Sequence, residues 1–107
     1  MSMEIVETSV FTRQIRDLLK DEEYIELQER LVMNPLAGVV IPGSGGLRKL
    51  RWGVEGRGKS GGIRVIYYYA APEDWIFMLA AYAKGAKSDL TAKEVAALKK
   101  LVKEELS

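Results

Sequence analysis

The first third of the chain carries apolar residues at helical spacing and predicts two helices. The first is expected to begin near Ser9 or Thr12, and the second to follow Asp21 as its N-cap. Asn34-Pro35 should end the second helix, because proline disfavours helical geometry in the residue before it. The joint between them is short, so an antiparallel helical hairpin is expected. The inward-facing residues are Phe11, Ile15, Leu18 and Leu19, followed by Tyr24, Leu27 and Leu31.

Four segments, one before the predicted helices and three after them, have the pattern of β-strands. In a strand, successive side chains point to opposite faces of the sheet. These segments are residues 3–10, 47–54, 63–71 and 75–83. In the second of them, Leu50 and Trp52 share one face, whereas Lys49 and Arg51 share the other. Residues 36–46 are predicted to be a loop. The last three strands follow one another closely and should form an antiparallel meander.

A third helix closes the chain, because Thr91 and Glu94 have capping-box spacing and an apolar stripe follows them. The predicted order is β-α-α-β-β-β-α. This order indicates an α+β fold in which a mainly antiparallel sheet packs against an N-terminal helical hairpin and a C-terminal helix. Residues 1–107 are expected to form a single domain, since this length leaves little room for a second core.

Composition restricts the chemistry that the protein can perform. The sequence contains neither cysteine nor histidine. Disulfides, cysteine nucleophiles, Ser-His triads and nearly every zinc or copper site are therefore excluded, and we expect no metal or other cofactor. The N-terminal residues do not resemble a signal peptide, and no stretch is long and apolar enough to cross a membrane. A cytoplasmic protein without membrane contact is expected.

The formal net charge of +1 conceals an uneven distribution. Residues 1–33 contain eight acidic and four basic residues, whereas residues 47–64 contain six basic residues and only Glu55 as an acid. Concentrated positive charge in a nearly neutral chain favours a polyanionic partner such as RNA. The alternative is a solvated basic hairpin without any partner.

Residues 53–60 satisfy the Walker A pattern, but their context argues against nucleotide hydrolysis. That motif needs a helix after the loop, so that helix N-terminal amides can hold phosphate. Here Ser60 is followed by Gly61-Gly62 and then by a predicted strand. We therefore interpret the segment as a glycine-rich hairpin tip that leaves Arg57 and Lys59 free to meet phosphate.

Basic residues and one tyrosine should converge on one surface if the meander forms. Lys49 and Arg51 lie two apart on a strand, which places them about 7 Å from each other on one face. The adjoining strands contribute further candidates near their ends. The candidate catalytic residues are Lys49, Arg51, Arg64, Tyr82 and Lys84, and the candidate RNA-binding residues are Arg48, Arg57, Lys59 and Lys87.

Such a surface suits cleavage of RNA, because RNA supplies its own nucleophile in the 2′-hydroxyl. The protein must orient that hydroxyl, accept its proton, neutralise the charge that develops on phosphorus and help the 5′-oxygen leave. Like charges disfavour the protonated form of a lysine, which makes a lysine in this cluster a candidate base. Arg64 would bind the scissile phosphate bidentately, and Tyr82 would stack on a base or share in proton transfer.

Each candidate also has a purely structural interpretation. Lys49 and Arg51 would then keep an exposed sheet face soluble, and Arg64 would pair with Glu55. Tyr82 would be a core aromatic residue with a satisfied hydroxyl. Lys84 and Lys87 would be ordinary loop lysines.

Three stretches resemble the RelE/ParE superfamily of bacterial toxins, most closely its HigB-like, phage-related branch. They are Gly45-Gly-Leu-Arg-Lys-Leu-Arg51, Gly61-Gly-Ile-Arg-Val-Ile-Tyr-Tyr68 and Tyr82-Ala-Lys-Gly-Ala-Lys-Ser-Asp-Leu90. The resemblance implies a ribosome-dependent endoribonuclease that cleaves mRNA in the A site. It also implies a cognate antitoxin, usually with a helix-turn-helix domain, through which alone the toxin would contact operator DNA.

The resemblance also assigns roles to individual residues. Lys49 and Arg51 match the family's basic strand pair, Arg64 its phosphate-binding arginine and Lys84 a basic position at the end of the last strand. Some ribosome-dependent members have an arginine after that lysine, where this chain has Gly85, so the general acid is left unassigned. The alternative function in the same superfamily is a ParE-like toxin that inhibits DNA gyrase by protein contact, and a third is a non-catalytic binding module.

Overall fold

The computed structural model describes residues 3–53, 62–87 and 89–106 of the chain. Its helices are α1 (Ser9–Leu18), α2 (Asp21–Met33) and α3 (Ala92–Leu106). Its strands are β1 (Glu4–Glu7), β2 (Val39–Val40), β3 (Arg48–Trp52), β4 (Ile63–Ala70) and β5 (Trp75–Ala83). Each helix in the described residues is too short or too polar to pass through a bilayer.

The strands form one five-stranded sheet in the order β1-β5-β4-β3-β2. The pairs β3–β4 and β4–β5 are antiparallel, as the meander prediction required. The pair β2–β3 is also antiparallel, whereas β1 lies parallel to β5. The α+β prediction is therefore confirmed. The prediction of a loop at residues 36–46 was wrong in part, because β2 lies within it. Two valines are too few to show an alternating pattern, so β2 depends on its pairing with β3.

Apolar side chains fill both faces of the sheet. The α1–α2 hairpin covers one face, where Phe11, Leu27 and Leu31 pack with Val65 from β4. The α3 helix covers part of the other face, where Val102 lies in a second cluster of buried residues. Alternate residues along β4 belong to the two clusters in turn. This two-sided burial fixes the register of β4, because a slip by one residue would exchange its faces.

Capping interactions define where the helices begin. The Thr8 hydroxyl oxygen accepts from the Phe11 amide at 3.0 Å and caps α1. The capping-box prediction for α3 is confirmed, since the Glu94 amide donates to the Thr91 hydroxyl and the Thr91 amide donates to the Glu94 carboxylate. The N-cap of α2 is Lys20 rather than the predicted Asp21. Asp21 instead begins the helix, where a negative charge still faces the positive end of the helix dipole.

A β-bulge in β5 determines which residues of its second half face α3. Ile66 pairs with Ala80 and Tyr67 pairs with Met78, so Leu79 lies between two paired positions as an extra residue. Strict alternation from Leu79 would place Ala81 on its face and Tyr82 on the opposite one. The bulge reverses this order, so that Ala81 joins the cluster under α1 and α2 and Tyr82 packs on the α3 side.

Candidate nucleic-acid interface

Arg51, Arg64 and Tyr82 form a row across the three central antiparallel strands. Arg51 of β3 pairs directly with Arg64 of β4, which pairs directly with Tyr82 of β5. Residues paired in this way share a face, and adjacent strands are about 4.8 Å apart. The row therefore spans about 10 Å and brings two guanidinium groups and a phenol to one side of the sheet. We call these three residues the cation row.

The pairing of Arg51 with Arg64 is unfavourable for the stability of the fold. Like charges directly opposite each other on neighbouring strands destabilise a sheet. Arg51 is exposed and Arg64 is partly buried. Neither guanidinium forms an ion pair with any residue of the described ranges. Glu55, the structural partner predicted for Arg64, lies outside the described residues. The Arg64 guanidinium donates only to the Ile63 carbonyl at 3.3 Å among the described residues. Two paired arginines without a described carboxylate partner suit a bound anion such as phosphate.

Lys49 lies on the same face as the row, two residues before Arg51 in β3. Its ammonium group donates to the Asp89 carboxylate at 3.2 Å. The same carboxylate oxygen accepts from the Leu90 amide at 2.9 Å. These hydrogen bonds hold the pKa of Asp89 below its ordinary value, and the Leu90 amide makes the larger contribution. Lys49 therefore lies beside the row, where it forms an ion pair with Asp89.

The Tyr82 hydroxyl is buried and has no hydrogen-bond partner among the described residues. The sequence-based alternative was a core tyrosine with a satisfied hydroxyl, and no described residue satisfies it. Burial raises the pKa of Tyr82, and the nearby carboxylates of Asp89 and Glu94 raise it further, whereas Arg64 lowers it. The phenol is accordingly neutral near pH 7 and carries a proton that it can donate. A buried unpaired hydroxyl costs stability, which points to a bound partner in the functional state.

The two lysines beyond β5 lie at the end of the row. Lys84 is exposed, and its amide donates to the Gly62 carbonyl at 3.1 Å, which fixes it beside the start of β4. The Lys87 ammonium group donates to the Glu94 carboxylate at the start of α3. This contact, followed by the hydrogen bond from the Thr91 amide, lowers the pKa of Glu94. Like Lys49, Lys87 is therefore ion-paired in this structure.

Arg48, a predicted RNA-binding residue, lies away from the row. Arg48 pairs with Tyr67 and therefore lies on the opposite face of the sheet from Lys49. Its guanidinium donates to the Gly38 carbonyl at 2.7 Å and to the Leu36 carbonyl at 3.3 Å, so it ties down the chain before β2. Arg57 and Lys59 lie outside the described residues.

The sequence analysis missed Asp89 and Glu94 as parts of this surface. Glu94 was assigned only to the capping box, and Asp89 was not assigned at all. The available signal for Asp89 was its position two residues after Lys87, whereas Glu94 had no comparable signal. Within the described ranges, acidic residues do not form a group of three or more that would hold a metal ion.

Comparisons with solved structures place this fold among RelE toxins. A doubly substituted variant of the E. coli toxin RelE in the free state matches with a TM-score of 0.61 and 14% identity, covering 91% of this chain and 97% of that chain. The archaeal RelE–RelB complex from Pyrococcus horikoshii matches with a TM-score of 0.55 and 17% identity, covering 81% of this chain and 100% of that chain. The E. coli RelBE toxin–antitoxin complex matches with a TM-score of 0.55 and 16% identity, over 75% and 94% of the two chains.

At these identities the structural matches establish the fold alone. A family model supplies the evolutionary relationship. Residues 3–107 match the model described as the RelE toxin of the RelE/RelB toxin–antitoxin system, which covers nearly the whole chain. The match does not distinguish the HigB-like branch from other branches. The chain belongs to the RelE family of toxins from toxin–antitoxin systems.

Proposed function

We propose that this toxin is a ribosome-dependent endoribonuclease that cleaves mRNA in the A site and so stops translation. The observation that carries the proposal is the direct pairing of Arg51 with Arg64 on one open face of the sheet. Because that pair costs stability and lacks a carboxylate partner in the described residues, it fits a site selected for binding a phosphodiester. Family membership supports the same activity.

In the proposed mechanism the two arginines bind the non-bridging oxygens of the scissile phosphate. They neutralise charge as the 2′-hydroxyl attacks and five oxygens surround phosphorus, and this stabilises the transition state more than the ground state. The ribosome contributes by holding the mRNA so that the attacking oxygen, phosphorus and the leaving 5′-oxygen are in line. The products are a 2′,3′-cyclic phosphate and a free 5′-hydroxyl.

Proton transfer is assigned to the groups beside the arginines. Tyr82 is neutral and lacks a hydrogen-bond partner in the described ranges, so it donates a hydrogen bond or its proton to the phosphate or the leaving 5′-oxygen. Lys49 adds the positive charge of its ammonium group on the same face as the arginines, and water accepts the proton of the attacking 2′-hydroxyl. Lys84 lies beside the start of β4 and adds positive charge at the leaving-group end.

The cellular setting follows from the family. The proposal includes a cognate antitoxin, since RelE–RelB complexes are found among the structural matches, and we expect it to bind operator DNA through a helix-turn-helix domain. The toxin itself would contact the ribosome and mRNA in the bacterial cytoplasm. Assignment to the HigB-like branch remains a prediction based on the three sequence stretches described above.

The gyrase-inhibitor alternative makes a different use of the surface. A toxin that acts by protein contact has no need for two facing arginines, or for a phenol that lacks a hydrogen-bond partner among the described residues, on the same face. Primer extension on mRNA bound to programmed ribosomes tests the proposal, with a parallel assay of gyrase supercoiling. Cuts at a fixed position in the A-site codon are expected, with supercoiling unaffected. Intact message together with inhibited supercoiling would reject the nuclease.

The same assay can test the nucleophile. An mRNA with a single 2′-deoxy nucleotide at the cleavage position should resist cleavage, because it lacks the attacking hydroxyl. An otherwise identical message with the deoxy substitution several codons away serves as the control. Cleavage of the substituted message at an unchanged rate would contradict attack by the 2′-hydroxyl.

A further inference from the structure

The two lysines flanking the cation row are both engaged by carboxylates from one short segment of the chain. Lys49 approaches from β3 and contacts Asp89, while Lys87 contacts Glu94 at the start of α3. The arginines of the row form no ion pair with described residues. Among the described residues, the site thus has two arginines without an ion pair at its centre and two ion-paired lysines at its edge.

Backbone hydrogen bonds hold both carboxylates in place. Asp89 accepts from the Leu90 amide at 2.9 Å, and Glu94 accepts from the Thr91 amide at 2.8 Å. The pKa of each carboxyl lies below its ordinary value, so both groups are charged at neutral pH. Both carboxylates are therefore charged and oriented toward the lysines in the free protein.

We propose that Asp89 and Glu94 occupy two phosphate subsites, at Lys49 and Lys87, and that RNA phosphates flanking the scissile one displace them. The inference rests on the proposed function, because it takes the ligand to be RNA. Carboxylate and phosphate oxygens both accept hydrogen bonds from an ammonium group, so one can replace the other without rearranging the lysine.

Both ion pairs are accessible to solvent, so replacing a carboxylate with a phosphate costs little free energy. The side chains of Lys49 and Asp89 are 28% and 64% exposed, and those of Lys87 and Glu94 are 32% and 40% exposed. Exposed ion pairs contribute little to stability, since water competes for both partners. The carboxylates therefore do not close the site permanently. They lower its affinity for isolated anions and favour a ligand that presents several phosphates at once.

Conservative variants separate the charge of each carboxylate from its structural role. Asp89→Asn and Glu94→Gln each keep an oxygen that accepts the same backbone hydrogen bond, and glutamine also serves in a capping box. Asp17→Asn on α1 is the matched control, because it changes the net charge equally on the helix that covers the opposite face of the sheet. Circular dichroism of each variant checks that the fold is retained.

The experiment measures binding of a short fluorescein-labelled oligouridylate to the purified toxin by fluorescence anisotropy at low ionic strength. Each of Asp89→Asn and Glu94→Gln should bind about twofold to fivefold more tightly than the wild type, and the double variant more tightly still. Asp17→Asn should remain close to the wild type. Affinity equal to that of Asp17→Asn would overturn the inference, and so would weaker binding, which would mean that the carboxylates position the lysines for RNA.

Failure of this inference is distinguishable from failure of the proposed function. Arg51→Ala and Arg64→Ala are measured in the same binding assay. If these variants weaken binding while Asp89→Asn and Glu94→Gln have no effect, only the phosphate-subsite inference falls. If the arginine variants bind as well as the wild type, the cation row is not a phosphate site and the nuclease proposal falls with it.

Discussion

At the scale of single residues, the site contains groups that work against stability. Arg64 of β4 lies directly opposite Arg51 of the adjacent strand β3. Like charges in that position destabilise a sheet by a few tenths of a kcal/mol to about 1 kcal/mol. We therefore expect Arg64→Ala to leave the free energy of unfolding unchanged or raised by up to about 1 kcal/mol. Urea denaturation followed by circular dichroism measures this. A loss of several kcal/mol would show that Arg64 is needed for the fold.

Tyr82 gives a second residue-scale prediction. Its hydroxyl is buried without a partner among the described residues, so Tyr82→Phe removes an unsatisfied polar group and should raise the free energy of unfolding by about 1 kcal/mol. Cleavage of ribosome-bound mRNA should fall by about tenfold or more, since the proton donor is lost. Tyr67→Phe is the contrasting variant. Its hydroxyl bonds both the Gly38 amide and the Pro35 carbonyl, so its loss should destabilise the protein.

At the scale of secondary structure, the bulge at Leu79 decides whether Tyr82 reaches the row. Side chains of the N-terminal part of the chain support the backbone there. The Gln14 side chain accepts from the Ala81 amide at 2.9 Å, and the Thr8 hydroxyl donates to the Leu79 carbonyl at 3.1 Å. These contacts satisfy polar groups on the part of β5 that extends beyond its pairing with β1.

Gln14→Ala tests that role. The Ala81 amide would lose its partner, so the free energy of unfolding should fall by about 1–3 kcal/mol. Arg13→Ala, an exposed neighbour on α1, provides the control and should change stability much less. Chemical denaturation of the two variants makes the comparison. Equal stability of Gln14→Ala and the wild type would mean that the Gln14 hydrogen bond does not support this part of β5.

The start of α3 gives a pH-dependence prediction. The pKa of Glu94 is lowered in the folded protein, first by Lys87 and then by the Thr91 amide. Its stabilising effect is therefore complete above the ordinary glutamate pKa of 4.5 and is lost as the pH falls through the lowered value. The difference in stability between the wild type and Glu94→Gln should shrink in that acidic range. A difference that is constant from pH 7 to pH 3 would contradict this assignment.

The sequence predicted the elements with strong local signals better than it predicted the site. The Thr91–Glu94 capping box and the meander were recognised because their patterns are local. Alternation correctly put Lys49 and Arg51 on one face. The bulge at Leu79 and the pairing of Lys49 with Asp89 depend on contacts between distant segments, so no local pattern revealed them. Arg48 was grouped with its neighbours by charge, although adjacent strand residues face opposite ways.

At the scale of the whole molecule, the sheet separates two tasks. One face is covered by the acidic α1–α2 hairpin, and its buried cluster supports the fold. The opposite face carries α3 and, beside it, the cation row. This division lets the toxin tolerate two arginines that have no ion pair with described residues, because the core beneath them is packed from the other side. It also predicts that the basic side of the sheet, and not the acidic hairpin, meets RNA.

The central claim is that Arg51 and Arg64 hold one phosphate together. A double-mutant cycle on the single-turnover rate of A-site cleavage, using Arg51→Ala, Arg64→Ala and the double variant, tests it most directly. Each single variant should lower the rate by about 100-fold or more, and the double variant should lose much less than the product of the two effects. Wild-type rates in the single variants, or losses that multiply fully, would contradict a shared phosphate.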